Sequence, residues 1–422
     1  MSSLLKKFIG SAGLQFTSKG LAVISGVIFA RYLGAEQYGV YSYTLSIIAL
    51  VSLPVMAGFP DLLVREVAKY HLGSKWGSLL GVISWSRWYI LISSFIVILG
   101  LCFFLDADFF QSDVTNLLII FFWLIPLRAL LMHQGSILNG FRYYISSQLP
   151  EKIVIPVITL IVLCFYFVLD LTINATQLAF ISVFSSFISF LLSLYLLNKV
   201  INKLSKKTKP TYQVKYWTRS LIPFSLITFI STLNVELAFI LLGWLDSTES
   251  VAYFRIAMHS VILISLGLSS INVVIMPNIV RFYKVGNLHK TQELLTKSVR
   301  LSTLISLPII LILIFFGDDL ISFLFGDEYL ESYSILIVLC IGQLVNVIMG
   351  SVDLVLNMTG NESKSLKVLL ITFSINVLFL FLLIPQFGSL GAAISVSLGM
   401  IVSKVLMAID VWKTTKIKTW IM

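Results

Sequence analysis

Residues 78–104 read SLLGVISWSRWYILISSFIVILGLCFF, an apolar run in which Arg87 is the one charged side chain. An α-helix crosses the bilayer core with about 20 apolar residues, whereas a transmembrane β-strand shows about 10 residues of alternating polarity. The run does not alternate, and it lies between the basic Lys75 and the acidic Asp106. It therefore predicts a transmembrane helix with charges of opposite sign at its two ends.

Comparable runs fill the rest of the 422-residue chain, which is 58% hydrophobic and 12% charged. A soluble domain carries roughly 25% charged residues, so the composition favours a membrane protein. The fold class predicted is all-α, a polytopic membrane protein of about twelve transmembrane helices. The predicted spans are 11–31, 38–60, 78–104, 115–137, 151–169, 178–198, 220–245, 251–276, 300–317, 333–357, 366–384 and 390–411.

Charges outside the spans are sorted by sign between alternate connections. Lysine and arginine occur in one set, which comprises the N-terminus, 61–77, 138–152, 199–219, 277–300, 358–367 and the C-terminus. They are absent from the other set, which comprises 32–37, 105–114, 170–177, 246–250, 318–332 and 385–389. Short loops rich in lysine and arginine stay cytoplasmic, so both termini are predicted to be cytoplasmic. The net charge of +10 is then a feature of topology and of contact with anionic lipids, and no nucleic-acid partner is expected.

The most basic connection, residues 199–219, lies near the middle of the chain and reads KVINKLSKKTKPTYQVKYWTR. It predicts a cytoplasmic linker between two six-helix bundles, residues 1–198 and 220–422. A turn after Ile137-Leu138-Asn139-Gly140 has a similar counterpart in the second bundle, around Val355 to Gly360. We interpret this as a duplication with parallel orientation, which in transporters places a site between the halves. Coincidence among leucine-rich helices is the alternative.

Sequence motifs of soluble enzymes are missing from the chain. There is no G-x-x-x-x-G-K-[ST], no H-E-x-x-H and no G-x-S-x-G. The predicted outward connections have at most about fifteen residues, which leaves little room for a catalytic domain. Cys102, Cys164 and Cys340 lie far apart in apolar spans and read as core residues. We therefore expect neither an enzyme nor a metal or cofactor site, although a transferase with a site inside the bilayer stays open.

Ionisable residues inside the spans are the candidates for function, because each costs about 2.5–3.5 kcal/mol at the centre of a helix. Most are cationic, which predicts an anionic ligand. Snorkelling to the interface is an alternative for Arg31, and an ion pair with Asp353 is an alternative for Lys404. The predicted substrate-binding residues are Lys19, Arg31, Arg128, Arg255 and Lys404.

A second set of titratable groups is predicted to couple transport to an ion gradient. It consists of Glu236, Asp353 and His259. Glu236 is the first candidate for a proton or sodium site, and an ion pair with a neighbouring lysine or arginine is its alternative. Arg255 and His259 are four residues apart and so share one face of a helix, where Ser260 could extend a polar stripe toward a cavity.

Two stretches carry a family resemblance. The first is ARYLGAEQYGVY at residues 30–41, followed by Gly58 and Arg65. The second is IPQFGSLGAA at residues 384–393, downstream of Gly360. Together with length and span count, they make the chain resemble the bacterial O-antigen and polysaccharide flippases. These proteins belong to the multidrug, oligosaccharidyl-lipid and polysaccharide exporter superfamily.

The resemblance implies a MATE-like pair of bundles in the bacterial inner membrane. It implies transport of undecaprenyl-pyrophosphate-linked O-antigen or polysaccharide repeat units from the cytoplasmic to the outer leaflet, in the service of lipopolysaccharide or other polysaccharide biosynthesis. Alternating access driven by an ion gradient is the implied mechanism, with membrane lipids and other polysaccharide assembly proteins as further partners. Lys19, Arg31, Arg128 and Arg255 are then candidates to contact pyrophosphate or acidic sugars.

Three other functions are alternatives to transport of a lipid-linked sugar. A drug or cation antiporter of the same superfamily would need an acidic cavity, for which Glu236 and Asp353 are the available carboxylates. A polysaccharide polymerase or ligase would carry a large outward loop, which the predicted topology lacks. A scaffold protein would leave the deep charges unexplained. Transport of an anionic lipid-linked sugar is therefore the preferred prediction.

Overall fold

The computed structural model describes residues 3–56, 58–105, 111–204 and 208–420, and the regular elements of this part of the chain are all helical. The first helices are α1 Ser3–Val51, α2 Leu53–Met56, α3 Phe59–Leu72, α4 Trp76–Leu105, α5 Ser112–Phe121, α6 Leu124–Gly140, α7 Tyr144–Leu149, the π-helix Pro150–Val154, α8 Ile155–Val168 and α9 Ala175–Leu204. They are followed by α10 Val214–Leu245, α11 Thr248–Lys284, α12 Leu288–Phe315, α13 Gly317–Leu324, the 3-10 helix Asp327–Tyr329, α14 Ser332–Met349, α15 Val352–Met358 and α16 Glu362–Thr415.

The predicted all-α membrane fold is confirmed. Eight helices among the described residues are long and apolar enough to cross a membrane, or up to nine if a pair bent by 45° at Ser52 counts as one span. Each of the twelve predicted spans lies mainly on helical residues, and two spans fall on each of the long helices α1 and α16. The protein is therefore a multi-pass membrane protein, and the count of twelve stays a prediction.

Glycine residues interrupt both long helices. Gly34 in α1 has φ 72° and ψ 171°, and Gly388 in α16 has φ 53° and ψ −130°. Such backbone conformations are open to glycine because it has no Cβ atom. A Cβ atom on Gly388 would also lie 2.5 Å from Oδ2 of Asp246. The two predicted outward connections 32–37 and 385–389 are thus made by single glycine breaks, without a separate loop.

The chain divides into two units, which we describe separately. The first unit comprises Met1–Ser25 and Tyr43–Glu236, and the second comprises Gly26–Ser42 and Leu237–Met422. The predicted division into residues 1–198, 199–219 and 220–422 stays a prediction, and its residues 205–207 lie outside the described part of the chain.

The core of the first unit forms where α3 packs on α4, α6 and α10. Trp217 of α10 is fully buried, and its indole Nε1 donates a hydrogen bond of 2.9 Å to the hydroxyl of Tyr70 on α3. The absence of a side chain at Gly140 allows a close approach, because a Cβ there would lie 2.8 Å from Cβ of Val67. In the second unit, α11, α12, α15 and α16 bury a corresponding core around Leu295.

Three helices of the first unit, α3, α6 and α8, end in the same backbone motif. After α6, the Arg142 amide donates to Asn139 (2.8 Å) and the Tyr143 amide donates to Leu138 (2.9 Å). This Schellman arrangement places Arg142 in the left-handed region, at φ 66°. After α3, the same motif places Ser74 at φ 52°. Glycine usually occupies this position, so a charged residue there bears local strain.

A five-residue π-helix, Pro150–Val154, connects α7 to α8. The Ser189 hydroxyl of α9 donates a hydrogen bond to the Pro150 carbonyl at its start. A π-helical turn accommodates one more residue than an α-helical turn, and such turns occur frequently at functional sites. The turn carries Lys152, which is half-buried.

Candidate functional site

Two lysines come together in the first unit. Lys19 on α1 and Lys152 on the π-helix are both half-buried. The positive charge of Lys152 acts on Lys19. Lys19 is a predicted substrate-binding residue, whereas the sequence analysis placed Lys152 in a cytoplasmic connection. In the structure Lys152 lies on the π-helix Pro150–Val154.

Other polar groups of the first unit lie on α4 and α6. Arg128 of α6, a predicted substrate-binding residue, is half-buried. His133 on the same helix is buried, and its Nε2 lies 2.8 Å from the Ser86 hydroxyl of α4. The charge of Arg87 acts on this histidine. The two helices therefore place the buried pair of Ser86 and His133 under the influence of Arg87.

Arg255 has aromatic and backbone partners within the second unit. Its Nη2 donates a hydrogen bond of 3.1 Å to the carbonyl of Ser42. Its guanidinium carbon lies 3.5 Å from the centroid of the Phe239 ring, a cation–π contact that helps to hold an arginine in an apolar setting. The arginine is thus fixed in orientation by α1 and α10.

His259 lies one turn further along α11, as the predicted polar stripe requires. Its ring packs on Gly26, where a Cβ atom would lie 3.3 Å from Cδ2 of the histidine. Its Nδ1 is buried, and no hydrogen-bond partner is found for it among the described residues. The charge of Arg255 acts on this ring. The two residues are therefore close in space, and the imidazole keeps one nitrogen available for a ligand or a proton.

Arg31 lies within α1, at the predicted outward end of the span 11–31, and is exposed. Its Nη2 donates a hydrogen bond to the carbonyl of Phe323 in α13. Nearby, the Ala35 amide donates to a Glu328 carboxylate oxygen at 3.2 Å, and the Tyr329 hydroxyl donates to the Ala30 carbonyl at 2.9 Å. This arrangement gives the ARYLGA stretch a structural role, and substrate binding by Arg31 stays a prediction.

Lys404 and Asp353 form an ion pair. The Lys404 Nζ lies 3.2 Å from Asp353 Oδ1, with 16% of the lysine and 50% of the aspartate side chain exposed. This is the alternative that the sequence analysis weighed against a ligand role for Lys404. The pair neutralises both groups, so it offers a nearly uncharged surface in this state.

Glu236 is the last residue of the first unit and lies within α10. Its Oε2 is buried, and neither a hydrogen bond to this atom nor an ion pair of the residue is found among the described residues. A carboxylate inside a span without a cationic partner is costly unless it binds a proton or a cation. Glu236 therefore fits the predicted coupling role in chemistry, and that role stays a prediction.

Sequence reasoning missed a charged group on α3. Glu66 is fully buried, and its Oε1 lies 2.8 Å from Arg65 Nη2 and accepts a hydrogen bond of 3.2 Å from the Tyr216 hydroxyl. Lys69 Nζ lies 3.7 Å from the other oxygen and donates to Tyr216 at 3.1 Å. The signal was present in the spacing of Arg65, Glu66 and Lys69, but the whole segment 61–77 was assigned to a loop.

A cavity of about 610 Å³ lies in the first unit, between the end of α3 and the connection from α6 to α7. No predicted site residue lines it. Its walls are His71, Phe141, Arg142, Tyr143, Tyr144, Ile145 and Ser146.

Solved structures with the same fold are transporters. The structure described as the inward-facing conformation of a multidrug resistance MATE family transporter of the MOP superfamily superposes with a TM-score of 0.76 at 16% identity, covering 94% of this chain and 96% of that one. The inward closed conformation of the lipid II flippase MurJ gives a TM-score of 0.74 at 17% identity, covering 96% of this chain and 87% of that one. At these identities the likeness shows the fold alone, which is the predicted MATE-like architecture.

Sequence comparison gives the family. The capsular polysaccharide biosynthesis protein CapF of Staphylococcus aureus is 28% identical over 185 residues, which is 43% of this chain and 46% of that protein. The match thus spans less than half the length of that relative. The profile of the MatE family matches residues 220–382. The profile described as polysaccharide biosynthesis protein matches residues 4–283, well over half of the chain. As the resemblance in its sequence implied, the chain belongs to the polysaccharide biosynthesis protein family.

Proposed function

We propose that the protein is a flippase that moves undecaprenyl-pyrophosphate-linked O-antigen or polysaccharide repeat units from the cytoplasmic to the outer leaflet of the bacterial inner membrane. The observation that carries the proposal is that the first unit holds the half-buried cations Lys19, Arg128 and Lys152 within or next to its predicted spans. Like charges in a half-buried setting are costly, and an anion that binds near them lowers that cost. A pyrophosphate carries the charge and the oxygen acceptors for two ammonium groups.

The proposed cargo has an apolar tail and a charged headgroup, and the two have opposite requirements in a membrane. A polyprenyl chain gains about 0.8 kcal/mol for each CH₂ group kept in the membrane, so the tail stays in lipid throughout. The charged sugar headgroup must cross the bilayer core, and it needs polar and cationic residues along its path. Half-buried cations of this kind are Lys19 and Arg128 in the first unit and Arg255 in the second. Transport of this kind needs no covalent chemistry by the protein.

Family and fold support the same reading. The chain belongs to the polysaccharide biosynthesis protein family, and one of its structural neighbours is a lipid II flippase. Its sequence relative CapF is named for capsular polysaccharide biosynthesis. Delivery of the flipped unit to other polysaccharide assembly proteins is part of the proposal, as is coupling to an ion gradient through Glu236.

A cation or drug antiporter is the second candidate, because the MatE profile matches residues 220–382. Such a transporter needs acidic groups available to its cargo. Asp353 is engaged with Lys404, which leaves Glu236 as the predicted carboxylate without an ion pair among the described residues. The balance of charge therefore favours an anionic cargo.

The test is a flipping assay in proteoliposomes with a fluorescent polyprenyl-pyrophosphate-linked sugar. We expect Lys19→Gln and Lys152→Gln each to lower the initial rate by about tenfold or more, since a lost hydrogen bond to a charged group costs about 1.5–3 kcal/mol. Lys75→Gln is the matched control, because Lys75 is an exposed lysine of the first unit. Wild-type rates in both lysine variants would remove the basis of the proposal.

The antiporter alternative is separated in the same vesicles. A flippase translocates the lipid-linked sugar and leaves a cationic dye in place. Export of the dye that is lost in Glu236→Gln, together with no flipping by the wild-type protein, would establish the second candidate instead.

A further inference from the structure

The cavity next to Arg142 is not used by the mechanism proposed above. It lies in the first unit and is formed by connections 61–77 and 138–152, both on the face predicted to be cytoplasmic. Its volume of about 610 Å³ is in the range of small-ligand sites. Its lining contains one permanent cation and no carboxylate among the described residues, so an anionic group is favoured over a cationic one.

The side chains around the cavity combine an anion binder with flat apolar faces. Arg142 presents a planar guanidinium, which matches phosphate oxygens in a bidentate manner. Tyr143, Tyr144 and Phe141 provide aromatic rings, and the Ser146 hydroxyl adds a donor and an acceptor. Such a lining suits a ligand that carries both a phosphate and an apolar ring face, as a sugar phosphate does.

The histidine on the opposite wall belongs to an aromatic cluster. The His71 ring packs edge-on against Phe141, with centroids 5.2 Å apart, and against Trp76, with centroids 5.6 Å apart. Its Nδ1 is buried, and no partner is found for it among the described residues. The histidine thus brings an imidazole ring to the wall of the cavity, held in place by its two aromatic neighbours.

The backbone at Arg142 adopts a conformation that Ser74 and Asp170 of the first unit also adopt. The Schellman motif places it at φ 66°, where glycine is the usual residue. Strained backbone of this kind clusters at ligand-binding positions, because the benefit of the side chain offsets the strain. The turn places Arg142 at the rim of the cavity, where its side chain is exposed.

We propose that this cavity binds a phosphorylated sugar on the cytoplasmic side and serves as the first docking site for the headgroup of the cargo. The inference rests on the proposed function, since it names where a lipid-linked sugar is received before it reaches Lys19 and Lys152. The recognised chemistry, a phosphate next to a sugar ring, could come from a lipid-linked headgroup or from a soluble sugar phosphate. The experiment distinguishes the two sources.

The test measures binding of glucose 1-phosphate to the full-length protein in phosphatidylcholine nanodiscs by titration calorimetry. Arg142→Gly removes the guanidinium and suits the left-handed backbone, so the variant keeps the fold. We expect its Kd to rise about tenfold or more, as for the loss of one charged hydrogen bond. Ser74→Gly makes the same backbone change in the matching motif of α3, and Lys75→Gln removes a nearby exposed charge. Both controls should retain wild-type affinity.

The source of the ligand follows from competition. Nanodiscs that contain phosphatidylinositol 4-phosphate present a phosphorylated ring on a lipid. Competition by this lipid assigns the site to a lipid-borne headgroup, and binding of glucose 1-phosphate without such competition assigns it to a soluble sugar phosphate. Both results support recognition of a phosphorylated sugar.

Three results would overturn the inference: no saturable binding of glucose 1-phosphate by the wild-type protein, equal affinity in Arg142→Gly, or equal competition by phosphatidylglycerol, which lacks a sugar ring. The proposed function is judged separately by the flipping assay. Intact binding without flipping contradicts the flippase alone, and flipping without binding at this cavity contradicts the docking site alone.

Discussion

Single residues fix the backbone where the helices turn, and Gly388 is the clearest case. It has φ 53° and lies within α16 against Asp246 of the α10–α11 connection. Gly34 likewise allows the backbone to turn within α1, at φ 72°. In the sequence, both read as ordinary loop glycines. No local pattern shows that their φ angles are positive or that Asp246 approaches Gly388.

Replacing Gly388 by alanine should lower the thermal stability of the protein. An alanine with φ 53° and ψ −130° lies in a sparsely populated backbone region that costs about 1–3 kcal/mol, and its Cβ would also crowd Asp246. The midpoint of thermal unfolding in detergent measures the effect. Gly100→Ala is the control, because Gly100 lies within α4 and a Cβ there would meet no atom within 4 Å. A loss of stability at residue 100 equal to that at residue 388 would contradict this explanation.

The candidate site was only partly predictable at this scale. The pairing of Arg255 with His259 follows from helical spacing, and the structure brings them together. The ion pair of Lys404 with Asp353 was weighed as an alternative, and it is present. Lys152 was missed because the sequence does not show that residues 150–154 form a π-helix, which shifts the direction of the side chains that follow.

Among the elements, α3 shows how an amphipathic segment can bury a charge. Glu66 is completely buried, while 43% of the Arg65 and 54% of the Lys69 side chain remain exposed. Tyr216 at the start of α10 completes the group, so the carboxylate joins α3 to α10 within the first unit. The charge pattern suggested a loop because basic residues stand near the predicted end of a span.

We expect Glu66→Gln to destabilise the first unit by about 1–3 kcal/mol, since it removes a buried carboxylate that accepts charged hydrogen bonds. Thermal unfolding followed by tryptophan fluorescence reports it, because Trp217 lies in the adjacent core. Glu293→Gln is the matched control: its ion pair with Lys297 is exposed, and exposed pairs contribute little. Equal unfolding midpoints for the wild-type protein and Glu66→Gln would show that the group has no stabilising role.

For the molecule as a whole, composition and charge sorting were sufficient to predict the fold class. Apolar runs of about 20 residues and a strict separation of lysine and arginine from the outward connections are global patterns that survive local errors. The division into units was harder to predict. Residues 26–42 of α1 belong to the second unit, and no sequence pattern marks the two points at which this helix passes from one unit to the other.

The topology predicts which connections a reagent can reach from outside the cell. In a chain without its native cysteines, Thr172→Cys should react with a membrane-impermeant thiol reagent in intact spheroplasts. Ser363→Cys should react only after the membrane is opened, because its connection is rich in lysine and is predicted to be cytoplasmic. Both positions are exposed in the structure. Labelling of both from outside, or of residue 363 alone, would contradict the predicted orientation and the even number of spans.

The glycine breaks in α1 and α16 also determine how much of these two connections is accessible from outside the cell. In the predicted orientation, the chain returns into the membrane at Gly34 and Gly388 with hardly any loop between the helical segments. These connections offer few residues for an antibody to bind, for a phage to adsorb to or for a secreted protease to cut. An antibody directed at these two connections therefore has to insert between helices. Small molecules or narrow antibody loops are better suited to that than a flat paratope.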